Sequence, residues 1–207
     1  MQSFDELIAF RKILHQNPEL SNQEQATAAR ILEEFQAFSA DEVITGLGGI
    51  GLAFVFNGAQ SGPTTLIRSE LDALPIEETN DFEHRSKVMG VSHKCGHDGH
   101  MSIVTALGAE LATHRPQKGR VVLCFQPAEE TFTGAKAMLE DGLLELIKPD
   151  EIYGLHITPF ETGVITTKPN ELFAYQKTVV LKFKPNANAD ELKSSVKKIF
   201  RELSRNK

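Results

Sequence analysis

The stretch HKCGHDGHMS, residues 93–102, packs three histidines, a cysteine and an aspartate into the eight positions from His93 to His100. A thiolate and an imidazole both bind zinc, cobalt or manganese-type ions, the thiolate favouring the softer of them. Cys95 and His97 stand two residues apart and share no helix face, so they converge on one ion only from an extended or turning backbone. Gly96 makes that turn inexpensive. Asp98 is a candidate to cap the following helix or to accept a hydrogen bond from a ligand imidazole. The competing reading is a polar loop between a strand and a helix.

Further residues of the same kind occur at comparable places. FQPAEE ends a buried strand and delivers Glu129 and Glu130 side by side. Adjacent carboxylates at a strand exit point in different directions, so one can bind a metal while the other stays free as a general base; the alternative is a solvated acidic turn. YGLHITP puts His156 at the end of another apolar strand, as a ligand or as a satisfied core histidine. LIRSELDALP sends Arg68, Glu70 and Asp72 out of a buried strand, where unpaired charge is costly. Asp72 there orients a ligand or the base, or is only a turn aspartate. His93 and His100 flank the group as candidates for supporting contacts. His15 and His114 read as helix-surface or packing residues. In open α/β sheets, sites gather at the carboxyl ends of strands, and the joint pattern outweighs each bland reading taken alone.

The elements that must position these residues follow from periodicity. FDELIAFRKILHQ places Leu7, Phe10, Ile13 and Leu14 at helical spacing and stops before Pro18. A second helix follows, with Ser21 as N-cap and Glu24 as its capping-box partner. The turn GLGGIG leads into the strand LAFVF, and Thr65 to Ser69 reads as a buried strand. Residues 76–94 lack periodicity and read as a long loop, a feature that is often functional. A helix from about Asp98 to Thr113, the strand GRVVLCFQP, the helix GAKAMLEDGLLEL and the strand EIYGLHI complete the alternation. It argues for an α/β layered fold with a mostly parallel sheet. Beyond it come a strand-like KTVVLKFKP and a Lys-rich amphipathic helix with Leu192, Val196, Ile199 and Leu203 on one stripe.

Composition is that of an ordinary globular protein: 207 residues, 24% charged, 41% hydrophobic. A net charge of −6 argues against nucleic acid or an anionic membrane as the main partner. No apolar run is long enough to span a bilayer, and the N-terminus lacks the features of a signal peptide, so a cytoplasmic protein is expected. Cys95 and Cys124 are expected to be free thiols in that setting, Cys124 in the core.

LHQNPELS, ELDALPIEE, HKCGHDGHMS, GRVVLCFQPAEETFTGAKAMLEDGLLE and IYGLHITPFETGVI together resemble, in order and spacing, the M20 metallopeptidases. Within them the chain is similar to the N-acyl-amino-acid amidohydrolases, which include hippurate hydrolases, aminoacylases and auxin-conjugate hydrolases. The resemblance covers about residues 5 to 170. It implies a zinc-peptidase-like catalytic domain over 1–168, and in 169–207 a strand and helix similar to part of a lid or dimerisation domain. It implies one or two divalent ions, zinc, manganese, cobalt or nickel, with Cys95, His97, Glu130 and His156 as ligands. Glu129 would be the general base; Asp72, from its own place after the strand, is the second catalytic candidate, orienting a ligand or that base. The substrate implied is a small N-acyl amino acid or peptide.

Two departures from the family pattern stand out. Glu70 occupies a position usually held by aspartate. Family members are also longer, with a lid carrying a glycine-glycine-histidine stretch and a returning segment that adds a histidine ligand. Here no Cys or His follows His156. The expectation is that one ligand, part of the substrate pocket and part of the sheet lie outside this chain. That leaves a self-sufficient hydrolase, an inactive truncated remnant, or a half-enzyme completed by a partner chain or homodimer through residues near 177 to 204.

Overall fold

The apolar runs LAFVF and VVLCF become the middle of a five-stranded sheet in the computed structural model, which describes residues 3–167, 182 and 188–203. The strands are β1 (Glu42–Leu47), β2 (Gly51–Asn57), β3 (Gln60–Glu70), β4 (Lys118–Gln126) and β5 (Glu151–Gly154), in the order β1-β2-β4-β3-β5. β3 runs parallel to β4 and β5, whereas β2 runs antiparallel to β1 and β4. The α/β class is as expected. The sheet is mixed, and its parallel half carries the residues of interest. β1 was not expected from the sequence. It is a largely exposed edge strand, and its short glycine turn into β2 permits only antiparallel pairing.

Period-two alternation sends the central strands into two cores. Leu52, Phe54 and Phe56 of β2 and Leu123 and Phe125 of β4 pack with α1 (Phe4–Gln16), α2 (Gln25–Phe35) and α3 (His97–Thr113). Ala53, Val55, Val122 and Cys124 face α4 (Gly134–Glu140) and α5 (Leu143–Ile147) on the other side. Phe35 stacks on Phe54 with centroids 3.8 Å apart. Each fully buried phenylalanine of this kind contributes about 2–3 kcal/mol. Cys124 is 2% exposed, and burial pushes its thiol up to about 12; it is the core residue expected.

Two helix starts show how local signals fare. Ser3 and Glu6 form a reciprocal capping box at α1. The box expected from Ser21 and Glu24 does not form, because both side chains are taken by distant partners. Ser21 Oγ donates to Asp72 Oδ2 (2.6 Å), and Glu24 accepts from the Ala128 amide (2.7 Å). The first amides of α2 go to Glu19 instead, Thr27 N at 2.6 Å and Ala26 N at 3.2 Å. The single helix expected over residues 134–146 is divided at Asp141 and Gly142 into α4 and α5.

Residues 76–94 form no helix or strand, as expected. Leu74 and Ser92 pair across the base of this loop. β5 is the open edge of the sheet, with Ile152 and Tyr153 more than half exposed.

The chain divides into two compact units, Met1–Pro159 and Phe160–Lys207. The second contains α6 (Ala189–Leu203), with Asp190 and Glu191 in its first turn and Arg201 in its last, matching the helix dipole. Leu192, Val196 and Ile199 lie half-covered, and Phe200 is exposed. Apart from Lys182, the strand expected over 177–185 lies outside the described residues. Among the described residues no helix is long and apolar enough to cross a membrane.

Candidate metal centre

Three parallel strands end on the same side of the sheet, and each delivers one part of the group. β3 runs out into Glu70 and Asp72, β4 into Glu129 and Glu130, and β5 into His156. The fourth part is the turn into α3, which supplies Cys95 just before the helix and His97 as its first residue. Gly96 between them sits at φ 86°, the left-handed turn that the two-residue spacing demands.

His97 is fully buried and lies at the middle. Its Nδ1 donates to the Asp72 carbonyl oxygen at 2.7 Å, with Asp72 Oδ1 at 3.3 Å, which turns Nε2 toward the glutamates. Nε2 lies 3.6 Å from Glu130 Oε1 and 3.7 Å from Glu129 Oε2. Cys95 Sγ and His156 Nε2 are 3.4 Å apart, within reach of a thiol hydrogen bond. Ligand-type atoms of Cys95, His97 and His156 all lie within 4.8 Å of one another, as do those of His97, Glu129 and Glu130. His156 is solvent-facing rather than a core residue, with Nδ1 donating to the Ile157 carbonyl at 2.6 Å.

These separations fit a shared cation. Two ligand atoms on one tetrahedral zinc, with bonds of about 2.0–2.3 Å, lie about 3.3–3.8 Å apart. His97 Nε2 and Glu130 Oε1, 3.6 Å apart, are both buried without a hydrogen-bond partner. Such atoms are costly unless a partner fills the space between them. Acidic groups surround His97: burial opposes its protonation, but Asp72, Cys95 and Glu70 raise it to about 11. His97 lowers the Cys95 thiol, yet burial and Glu130 outweigh this and leave it raised. Burial and the Glu130 charge push Glu129 up.

Glu70, His97 and His100 form a third cluster, in which the Glu70 and His100 atoms are already paired. His100 Nδ1 donates to Glu70 Oε2 at 2.8 Å, and Nε2 accepts from the Ile157 amide at 2.8 Å. Arg68 takes the other Glu70 oxygen. Glu70 and His100 thus spend their ring nitrogens and carboxylate oxygens on each other, on Arg68 and on the Ile157 amide. Asp72 does more than a turn aspartate would, since its Oδ2 also accepts from the Glu130 amide at 2.9 Å.

Several residues fall elsewhere than the sequence placed them. Asp98 neither caps α3, where Gly96 is the N-cap, nor meets His97; its Oδ2 accepts from His15 and Arg11. Of the two readings of His15, helix surface or packing, the structure takes the second, its two ring nitrogens reaching Asp98 and Glu78. Glu24 was missed as a support. It is fully buried and holds Ala128, which sits at φ 50°, just before the two glutamates.

The turn at Gly96 gives a direct test of this packing. An alanine there adds about 1–2 kcal/mol of left-handed backbone strain. Its Cβ would also fall 1.9 Å from Ile157 Cδ1. Gly96→Ala should therefore lower the melting temperature by roughly 2–8 °C from the strain alone, at about 2–4 °C per kcal/mol for a chain of this size. Unchanged melting in a thermal scan would show that the turn and Ile157 are not packed as described.

Residues 66–206 match peptidase family M20/M25/M40. N-acetyldiaminopimelate deacetylase of Listeria innocua is 37% identical over 181 residues, covering 87% of this chain and 48% of that protein. Thermostable carboxypeptidase 2 of Saccharolobus solfataricus is 38% identical over 177 residues, covering 82% of this chain and 44% of that one. Among solved structures, the YXEP protein of Bacillus subtilis, described as a dinuclear metal binding peptidase from the M20 family, aligns with a TM-score of 0.70 and 35% identity. That match covers 75% of this chain and 43% of the other. The chain spans just under half the length of these relatives.

Proposed function

The chain belongs to peptidase family M20/M25/M40, and on that footing we propose that it is a metal-dependent hydrolase of the amide bond in N-acyl amino acids or small peptides. The observation that carries this reading is the convergence on His97: Cys95 and His156, themselves 3.4 Å apart, place ligand atoms within 4.8 Å of it, and its buried, unpaired Nε2 lies 3.6 Å from the buried, unpaired Glu130 Oε1 and 3.7 Å from Glu129. Cys95, His97, Glu130 and His156 hold one or two divalent ions, zinc, manganese, cobalt or nickel. When bound, the ion supplies Lewis acidity, acidifying water and polarising the scissile carbonyl. Glu129 takes a proton from the attacking water at its carboxylate and passes it to the leaving amine nitrogen. Asp72 holds His97 Nδ1 and the Glu130 amide, so both side chains keep their aim. The products are an amino acid and a carboxylic acid. The free thiols suit a reducing, cytoplasmic setting.

The test is metal analysis of the purified chain after equilibration with zinc or manganese, beside an assay on a panel of N-acyl amino acids. Stoichiometric metal with release of free amino acid is expected. A chain that retains no metal and hydrolyses nothing removes this reading.

In a second reading the centre turns over only with residues from a partner chain or a second copy. The exposed Phe200 and half-covered stripe of α6 support association through that helix. Sedimentation should show the intact chain self-associating and a version ending at Pro169 doing so less. A strictly monomeric intact chain would refute the association, and equal association of both would move the contact to Met1–Pro159.

A further inference from the structure

Beside the candidate metal centre lies a second, part-buried network that the proposed chemistry does not use. Asp98, 1% exposed and adjacent to His97, accepts at Oδ2 from His15 Nδ1 (3.0 Å) and Arg11 Nε (3.1 Å), both on α1. The other nitrogen of His15, Nε2, lies 3.1 Å from Glu78 Oε2 on the 76–94 loop. Glu78 in turn accepts from Lys94 Nζ and from the Ser86 amide (2.7 Å). Lys94, Cys95, Gly96, His97 and Asp98 are consecutive. The turn that bears two candidate ligands is therefore gripped at both ends, by Glu78 at Lys94 and by His15 at Asp98, and His15 joins the two grips.

The chemistry of the acceptors fixes what His15 does. Ionised carboxylates only accept hydrogen bonds, so an imidazole lying between two of them donates from both nitrogens as a cation. Bonds of this charge-assisted kind are roughly twice as strong as neutral ones. The turn itself needs outside support, because Gly96 at its centre is the residue with the least conformational preference of its own. Near His15 also lie His84 and His93, with ring centroids at 5.8 and 6.4 Å.

We infer that His15 is a positioning residue for the metal centre: by joining Asp98 to Glu78 it closes a circuit of charged hydrogen bonds around residues 94–98 and sets the spacing of Cys95 and His97 before an ion arrives. This rests on the metal reading for its consequence, but the circuit itself can be tested without metal. Outer partners of metal ligands commonly change affinity by about 10–100-fold, and His15 acts one step further out, so about tenfold is expected.

The experiment uses His15→Phe, which removes both bonds, and His15→Asn and His15→Gln, which each offer one amide donor. In the metal-free intact chain, hydrogen exchange should quicken by at least tenfold across 93–100 in His15→Phe while the β4 amides keep their protection. Cobalt titration should show about tenfold weaker binding and an altered thiolate-to-cobalt absorption band, with partial recovery in His15→Asn or His15→Gln. A merely structural residue would change melting without changing that band. Unchanged exchange across 93–100 overturns the inference whether or not cobalt binds, as do wild-type affinity and an unaltered band in His15→Phe. If the wild-type chain binds no cobalt, the metal reading fails separately, and the exchange result still decides whether the circuit holds the turn. Should His15→Phe fail to fold, Glu78→Gln opens the same circuit from the loop side and is read by the same exchange criterion.

Discussion

Glu129→Gln should leave metal content unchanged and cut hydrolysis roughly 10²–10⁴-fold, the contribution of a positioned general base, whereas Glu130→Gln should lose the metal. The two side chains are nearly equivalent in distance from His97 Nε2, at 3.7 and 3.6 Å. Their difference lies in what holds them. The Glu130 backbone is tied to Asp72, the same residue that orients His97, and its Oε1 is buried without a partner. A glutamine there would bring a weaker, neutral ligand to an atom position that wants a cation. Glu129 has no such tie, and burial beside Glu130 favours its protonated form more than usual. The measurement pairs elemental analysis of each variant with amine release from the N-acyl amino acid panel. If both variants keep metal, or both lose it, the assigned division of labour is wrong, and metal content alone decides this even in a chain with no measurable turnover.

The parts of this centre that could be read from the sequence share one property: their signal is local. Cys95 and His97 announce a turn by their spacing, Glu129 and Glu130 follow the apolar run of the buried strand β4, and His156 follows the short apolar run of β5, which the fold leaves exposed at the sheet edge. His15 has no local signal. Its partners Asp98 and Glu78 lie 83 and 63 residues away, and only the closed fold brings α1 beside the 76–94 loop. Glu24 misleads for the same reason: its spacing from Ser21 is that of a capping box, but Ala128, 104 residues on, competes for the carboxylate and wins. β1 escaped because an edge strand exposed on most positions has little apolar alternation to show. The antiparallel half of the sheet escaped with it, since strand order is fixed by long-range pairing rather than by the alternation of strands and helices.

Removing the Glu70 carboxylate should destabilise the metal-free chain by about 3–5 kcal/mol, the usual cost of leaving a buried charge partner uncompensated. Glu70 is 1% exposed and ends β3 in the floor of the centre. Burial opposes its ionisation, but the hydrogen bond from His100 and the charge of Arg68 outweigh that and hold its carboxyl below the ordinary range. In Glu70→Ala the fully buried His100 loses its acceptor at Nδ1, and Arg68 keeps only Gln126, 2.9 Å from its Nε. At about 2–4 °C per kcal/mol this corresponds to a fall in melting temperature of roughly 6–20 °C. Glu70→Asp is the more informative partner, because it keeps the charge and removes one methylene. His100 Nδ1 is met at 2.8 Å by the longer side chain, and a shortened one reaches either His100 or Arg68 but not both. The aspartate variant should therefore fall between wild type and alanine in urea melts. A loss below about 1 kcal/mol in Glu70→Ala would mean that Arg68, already 21% exposed, turns into solvent and water reaches His100, so that the carboxylate is dispensable to the fold.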